Sequence, residues 1–179
     1  MKTAASLYGS SLYDLAKEEN LGEPIMQQLE QIERIFKENP AYISLLLEPA
    51  IPQADRLKLI DEAFGEDAEP YVMNFLKLTC ENGVLRNFSE CVGAYRARYD
   101  ADYGIARGIV VSAIPLTEEQ KAALTKKLQA ESGKTVILTE KVDPGVLGGL
   151  RVEFDGRMLD GTVGGHLSEL RKRVNETVV

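Results

Sequence analysis

The spacing of apolar residues changes abruptly near Gly104. Before this point apolar side chains recur every three or four residues, as on one face of an α-helix. After it, Ile109, Val110 and Val111 form a β-branched run that is typical of a strand and ends before Pro115. This change predicts an α+β chain with an N-terminal helical domain over residues 1–105 and a small C-terminal α/β domain over residues 106–179.

The N-terminal part predicts a bundle of six helices. The first helix carries Tyr8, Leu12 and Leu15 on one stripe, and the fifth begins near Ala68 and ends at Asn82. Pro40 stands at the first position of a short third helix, with Asn39 as its expected N-cap. The other helices are marked by similar stripes: Ile25, Leu29, Ile32 and Phe36; Leu57, Ile60 and Phe64; Phe88, Cys91, Tyr95 and Tyr99. We expect these stripes to meet in one core.

The C-terminal part predicts two helices and a β-hairpin. Thr117 and Gln120 match a capping box, and they open a helix with Ala123, Leu124 and Leu128 on its inner side. A strand through Val136 and Leu138 follows. Asp155 and Gly156 fit a two-residue turn, which places Arg151 opposite Asp160 in the hairpin. A terminal helix is expected from its apolar stripe of Val163, Leu167, Leu170 and Val174.

Charge and hydropathy exclude several classes of protein. The 179-residue chain has a formal net charge of −7, which argues against a nucleic-acid partner because phosphate binding requires cationic side chains. No segment has the roughly 20 apolar residues that a membrane span needs, and the N-terminus lacks the apolar core of a signal peptide. Cys80 and Cys91 do not have metal-ligand spacing, so we expect buried or half-buried thiols on helix faces.

No catalytic, cofactor-binding or metal-binding residues are predicted. Ser132 to Thr135 read Ser-Gly-Lys-Thr, but this run leaves a helix and enters a strand, which is the reverse of a phosphate-binding loop. His166 is the only histidine, so no catalytic constellation or zinc site that needs a second imidazole can form. Turn and strand-edge positions explain Asp143, Asp155 and Asp160 better than acid–base roles do.

Three segments together resemble one known family. They are LYGSSLYDLA at residues 7–16, SAIPLTEEQ at residues 112–120 and VDPGVLGGLRVEFDGRMLDGTV at residues 142–163. In this order and spacing the chain resembles the delta subunit of bacterial F-type ATP synthase, the counterpart of the mitochondrial oligomycin-sensitivity-conferring protein. The resemblance covers nearly the whole sequence.

The resemblance implies a non-catalytic stator subunit. Such a subunit links the F1 catalytic head to the peripheral stalk and resists rotor torque, so that proton translocation drives ATP synthesis. The implied partners are the N-terminal helix of a head α subunit, bound by the N-terminal domain, and the peripheral-stalk b subunits, bound through the C-terminal domain by the hairpin and residues 163–179. The implied location is the cytoplasmic face of the bacterial membrane, with membrane association only through the complex.

The resemblance also implies the residues of a helix-binding groove. They come from the first and fifth helices: Tyr8, Ser11, Leu12, Leu15, Phe75, Leu78 and Thr79. The stripe pattern alone favours ordinary core packing for Leu12, Leu15 and Phe75. Two other functions remain open from sequence: a generic helical adaptor or assembly factor with an acidic surface, and a small hydrolase that uses carboxylates.

Overall fold

The chain divides into two compact units. The computed structural model describes residues 3–146, 148–154 and 156–162. The first unit, Met1–Asp102, is called the helical unit, and the second, Tyr103–Val179, is called the sheet unit. The division falls between Asp102 and Tyr103, whereas the change in composition places it between residues 105 and 106. Together the described residues contain seven α-helices and a four-stranded sheet, so the α+β class is confirmed.

The helical unit consists of helices joined by short connections. Its elements are α1 (Ala4–Glu18), α2 (Gly22–Glu38), α3 (Pro40–Leu46), α4 (Gln53–Phe64), α5 (Pro70–Glu81), a 3₁₀ turn (Val84–Asn87) and α6 (Phe88–Asp102). Helix α1 packs along α6 and also contacts α2 and α5. Because most of these connections are only a few residues long, each apolar stripe is brought back onto the same core.

Prolines and caps set several helix ends, with two differences from the predictions. Pro40 and Pro70 stand at the starts of α3 and α5, where the missing amide hydrogen leaves no bond unmade. The helix expected from Val84 begins with a 3₁₀ turn instead. Asn39 stands at the N-cap position of α3, as predicted, but its side chain makes no capping bond there: its amide donates to the Ile35 carbonyl at 3.0 Å, at the end of α2.

Aromatic rings hold the helical unit together around α6. The ring of Tyr13 lies edge-on to Tyr95, with centroids 5.2 Å apart, and its hydroxyl donates to Asp102 at 2.9 Å. The Tyr95 hydroxyl in turn donates to the Gly22 carbonyl at 2.9 Å, which ties α6 to the start of α2. Both tyrosine hydroxyls therefore have hydrogen-bond partners, while their rings pack in the apolar core.

The sheet unit places one helix against a mixed sheet. Its elements are β1 (Ile105–Ser112), α7 (Glu118–Ser132), β2 (Thr135–Val142), β3 (Leu150–Phe154) and β4 (Arg157–Asp160), with strand order β2-β1-β3-β4. Strands β1 and β2 are parallel, and the other pairs are antiparallel. Helix α7 forms the crossover that a parallel pair requires.

Alternate residues of three strands form the core of the sheet unit together with α7. Leu128 of α7 packs against the strand residues Ala106, Val110, Val136, Val152 and Phe154. Leu124 is half-buried at its edge, as predicted. Ala123 is exposed, so its assignment to the inner side was wrong, because it lies on the solvent side of a helix that covers only one face of the sheet.

Local chemistry fixes the ends of these elements. The capping box is confirmed: the Gln120 amide donates to the Thr117 hydroxyl at 3.3 Å, and the Thr117 amide donates to the Gln120 side chain at 3.0 Å. Strands β3 and β4 pair Arg151 with Asp160, which confirms the predicted register. Gly156 has φ of 73°, the left-handed conformation that a tight hairpin turn needs. Asp155, His166 and the predicted helix carrying Val163, Leu167, Leu170 and Val174 lie outside the described residues.

Candidate partner-binding surface

Helices α1 and α5 lie in contact, so the structure brings together the two elements that carry the predicted groove residues. Those residues divide into two layers. Leu12, Phe75 and Thr79 are buried, whereas Ser11, Leu15 and Leu78 are exposed and Tyr8 is half-buried. The inner layer belongs to the core, and the outer layer is accessible to a partner. We call the outer layer, together with Leu7 described below, the α1–α5 surface.

The inner layer is rigidly packed. The Thr79 hydroxyl donates to the carbonyls of Phe75 at 2.9 Å and Leu76 at 3.0 Å, so its polar group is satisfied within α5. The Phe75 ring lies 6.2 Å from the ring of Phe88. These side chains support the surface from below and have no face left for a ligand.

The outer layer exposes large apolar side chains. Leu15 is 49% exposed and Leu78 is 44% exposed, although leucine is usually buried. The stripe pattern favoured core packing for Leu15, and this prediction was wrong. The neighbouring helices cover the flank of α1 that carries Leu12 and leave Leu15 exposed. Core packing is confirmed for Leu12 and Phe75.

Leu7 is a residue of this surface that the sequence prediction missed. It is 55% exposed and lies one helical turn before Ser11 and two turns before Leu15. The spacing of four residues between these three positions was a usable signal, because such residues align along one side of a helix. Ser11, between the two leucines, is also exposed and has a small side chain.

Leu78 lies on a different side of α5 from the residue that contacts α4. Lys77 forms a 2.6 Å ion pair with Asp61 of α4, which fixes the side of α5 that faces α4. Tyr71 and Leu78 are about 100° or more around the helix from Lys77, given 3.6 residues per turn. They therefore lie on a different side of α5 from Lys77.

Charged side chains of α1 make polar contacts to α6. Asp14 pairs with Arg98 and Lys17 pairs with Asp102, each at 2.5 Å. The hydrogen bond from Lys17 lowers the pKa of the Asp102 carboxyl, and the bond from Tyr13 lowers it further by a smaller amount. Helix α1 thus carries charged side chains that are paired within the unit and apolar side chains that are exposed.

The sheet unit has a second exposed surface with apolar members. Ile109 of β1 is opposite Glu153 of β3, which is opposite Met158 of β4, so all three side chains point to the face away from α7. Ile137 of β2 lies on the same face. Ile109, Ile137 and Met158 are exposed.

Groups with catalytic potential have structural roles in the described parts of the chain. Within these residues no group of three or more His, Cys, Asp or Glu side chains could hold a metal ion. Asp143 accepts the Gly145 amide at 2.9 Å, and Asp160 accepts the Thr162 amide at 2.9 Å, so both carboxylates stabilise turns. Gly133 has φ of 69° and ends α7, so the Ser-Gly-Lys-Thr run lies where a helix ends.

The two cysteines are free and buried, as predicted. Burial raises the pKa of the Cys91 thiol to about 11, and it also raises the pKa of the Cys80 thiol. Thiols in such surroundings are poor nucleophiles at neutral pH.

The length and apolar character of a helix decide whether it can cross a membrane. Across residues 3–146, 148–154 and 156–162, none of the helices combines the length and the apolar character needed to cross a bilayer.

A model of the ATP synthase delta (OSCP) subunit family matches residues 4–174. The chain belongs to this family. Members are non-catalytic stator components of F-type ATP synthase, and this chain is one of them. The generic adaptor and the small hydrolase are therefore not favoured.

Relatives support this assignment over almost the full length. The ATP synthase subunit delta of Lacticaseibacillus casei is 32% identical over 160 residues, covering 89% of this chain and 88% of the relative. That of Anoxybacillus flavithermus is 30% identical and covers 97% of each chain. A chain in the cryo-EM structure of the Toxoplasma gondii mitochondrial ATP synthase hexamer has the same fold, with a TM-score of 0.76, 20% identity and coverage of 96% and 97%.

Proposed function

We propose that this delta subunit joins the F1 head to the peripheral stalk through two separate surfaces. The helical unit, as a bundle of six helices, binds the N-terminal helix of a head α subunit on the α1–α5 surface. The sheet unit binds the C-terminal ends of the stalk b subunits. The subunit lies at the cytoplasmic face of the bacterial membrane and is attached only through the complex.

The observation that carries this proposal is the exposure of Leu7, Leu15 and Leu78 on α1 and α5, two helices that are in contact. An amphipathic guest helix recognises such a surface by inserting apolar anchors along it. Covering the exposed half of each leucine contributes about 1 kcal/mol per side chain, half of the value for full burial. The three leucines therefore supply a useful part of a stable interface and leave room for contributions from the guest.

The shape of the surface suits a helix. Ser11 lies between Leu7 and Leu15, and its small side chain lets a guest backbone approach closely. Tyr8 offers an apolar ring with a polar tip at the edge. Leu12, Phe75 and Thr79 lie underneath as a rigid floor, so little ordering is needed when the guest binds.

The stalk-binding surface is proposed on the sheet unit at the hairpin and residues 163–179. All four residues of β4 are exposed, including the apolar Met158 and Leu159. A hairpin edge with exposed apolar side chains is suited to contact with a partner helix.

The resulting mechanism is mechanical. The delta subunit holds the head stationary against the stalk, so the torque of the rotor produces conformational change in the head and does not drag it round. Proton transfer and phosphoryl transfer take place on other subunits. The joint requires slow dissociation, and a nanomolar complex corresponds to about 12 kcal/mol.

Sedimentation velocity tests the head contact. The purified chain is mixed with head complex that lacks delta, with and without a peptide of the α-subunit N-terminus. We expect one chain bound per head, displaced by the peptide. Leu78→Asp should weaken binding by at least tenfold. Leu45→Asp is the matched control, because Leu45 is 41% exposed and belongs to α3, not to α1 or α5. Equal binding by the two folded variants would contradict the assignment.

A further inference from the structure

A second groove in the helical unit lies between α2 and the end of α4. It encloses about 260 Å³, and we call it the α2–α4 groove. Ile32 and Phe64 form part of its apolar floor, and Ile35 stands at its mouth with 40% of its surface exposed. A cavity of this size accommodates one large apolar side chain with space to spare. No residue is shared with the α1–α5 surface.

The walls of the α2–α4 groove are fixed before any ligand binds. The Gln28 side chain of α2 accepts the Glu69 amide at 2.9 Å and donates to the Asp67 carbonyl at 3.2 Å. One amide therefore clamps the α4–α5 connection onto α2. The Phe64 ring is held edge-on to the buried ring of Phe36, with centroids 6.0 Å apart. Fixed walls reduce the entropy lost on binding.

The rim of the groove is acidic. Glu62 lies in the last turn of α4, and Glu66 and Asp67 follow directly after Gly65. All three are exposed, and none of the described residues that line the groove is a lysine or an arginine. The groove therefore combines an apolar floor with a rim of three negative charges.

We propose that the α2–α4 groove binds a cationic amphipathic helix of a protein partner. A large apolar side chain of the partner fills the cavity beside Ile35, and Lys or Arg residues one turn before and after it pair with the acidic rim. Charge complementarity selects this occupant, because an acidic or neutral apolar segment would leave the three carboxylates without counter-charges. An anionic lipid surface would be repelled by the same rim.

This second docking site goes beyond the proposed function, which uses only the α1–α5 surface and the sheet unit. A subunit that binds partner segments on two sides of one helical unit would resist rotation about either contact. The two sites can be tested separately, because Leu78 and Ile35 belong to different surfaces.

The probe is a fluorescein-labelled helical peptide of 16 residues built from Ala, Leu and Lys with one central Phe. Its counterpart carries Glu in place of Lys. Fluorescence anisotropy is recorded while each peptide is titrated with the full chain at low salt and in 0.5 M salt. We expect the lysine peptide to bind, the glutamate peptide to bind at least tenfold more weakly, and salt to weaken the lysine complex.

Matched variants locate the binding site. Ile35→Glu should weaken binding at least tenfold, and Leu45→Glu, at an equally exposed apolar position, should not. The triple variant Glu62→Gln, Glu66→Gln, Asp67→Asn should weaken binding. A triple variant with the same net charge, Glu18→Gln, Glu19→Gln, Glu48→Gln, should retain binding. Circular dichroism verifies that each variant is folded.

The proposal would be overturned if the lysine peptide failed to bind the unaltered chain, if the two peptides bound equally, or if Ile35→Glu and its control had equal effects. Loss of binding in Leu78→Asp with full binding in Ile35→Glu would also overturn it, because the peptide would then occupy the α1–α5 surface.

Discussion

Gly9 of α1 lies directly against the backbone of Cys91 in α6. A Cβ atom at position 9 would be 2.0 Å from the Cys91 carbonyl oxygen, much closer than van der Waals contact allows. The two helices can therefore approach this closely only with glycine at position 9. This contact explains the glycine in the LYGSSLYDLA segment and sets the position of α1, which carries the α1–α5 surface.

Gly9→Ala is expected to destabilise the helical unit. The new methyl group forces α1 away from α6, and we expect the free energy of unfolding to fall by about 3 kcal/mol, at the upper end for overpacking. Gly93→Ala is the control: Gly93 is an exposed residue of α6 whose added Cβ would meet nothing within 4 Å. It should raise the free energy of unfolding by about 0.5 to 1 kcal/mol. Urea unfolding followed by circular dichroism measures both, and equal stability of the two variants would refute the close contact.

Thr79→Val separates a core role from a partner-binding role. The hydroxyl of Thr79 is buried and donates only to carbonyls of its own helix. We expect the valine variant to lose about 1 kcal/mol of stability and to bind the head complex normally. Urea unfolding and sedimentation velocity report the two effects. Weaker head binding without a change in stability would show that Thr79 contacts the partner.

The Cys91 thiol makes stability depend on pH under alkaline conditions. Its pKa is raised by burial from 9.0 to about 11, so the thiolate is disfavoured in the folded chain. The stabilising contribution is therefore complete below pH 9 and is lost as pH rises towards 11. Urea unfolding at several pH values should show a steeper fall for the unaltered chain than for Cys91→Ala. Identical pH dependence would mean that Cys91 is accessible to water.

The Glu140 carboxylate makes stability depend on pH under acidic conditions. Its carboxylate accepts the Leu116 amide at 2.5 Å and the Lys121 ammonium at 2.9 Å. Both bonds lower the pKa of the Glu140 carboxyl from its ordinary value of 4.5, and the bond from the Leu116 amide has the larger effect. Its stabilising contribution is present above pH 4.5 and is lost as pH falls through the lowered pKa. An NMR titration should find the pKa of Glu140 below 4.5, even in Lys121→Met, because the Leu116 amide remains. A value above 4.5 in the unaltered chain would contradict this geometry.

Features governed by neighbouring residues were predictable from the sequence. Thr117 and Gln120 form their capping box because both partners lie within one helical turn. Arg151 and Asp160 pair as predicted because a two-residue turn leaves one register for the hairpin. In both cases short-range geometry determines the outcome.

Features that depend on distant segments were not predictable. Leu12 and Leu15 belong to the same stripe of α1, yet only Leu12 is buried, because the positions of α5 and α6 determine which flank is covered. The placement of β1 between β2 and β3 likewise depends on long-range pairing. The clamp of Gln28 on the α4–α5 connection joins segments about 40 residues apart, and no local pattern indicates it.

The most direct test of the central claim is coupling in the whole enzyme. Enzyme assembled with Leu78→Asp is reconstituted in vesicles, and ATP synthesis driven by a proton gradient is compared with that of the Leu45→Asp enzyme. We predict that Leu78→Asp abolishes synthesis while ATP hydrolysis by the isolated head is unchanged, and that Leu45→Asp retains both. Full synthesis by a folded Leu78→Asp subunit would show that the α1–α5 surface does not hold the head to the stalk.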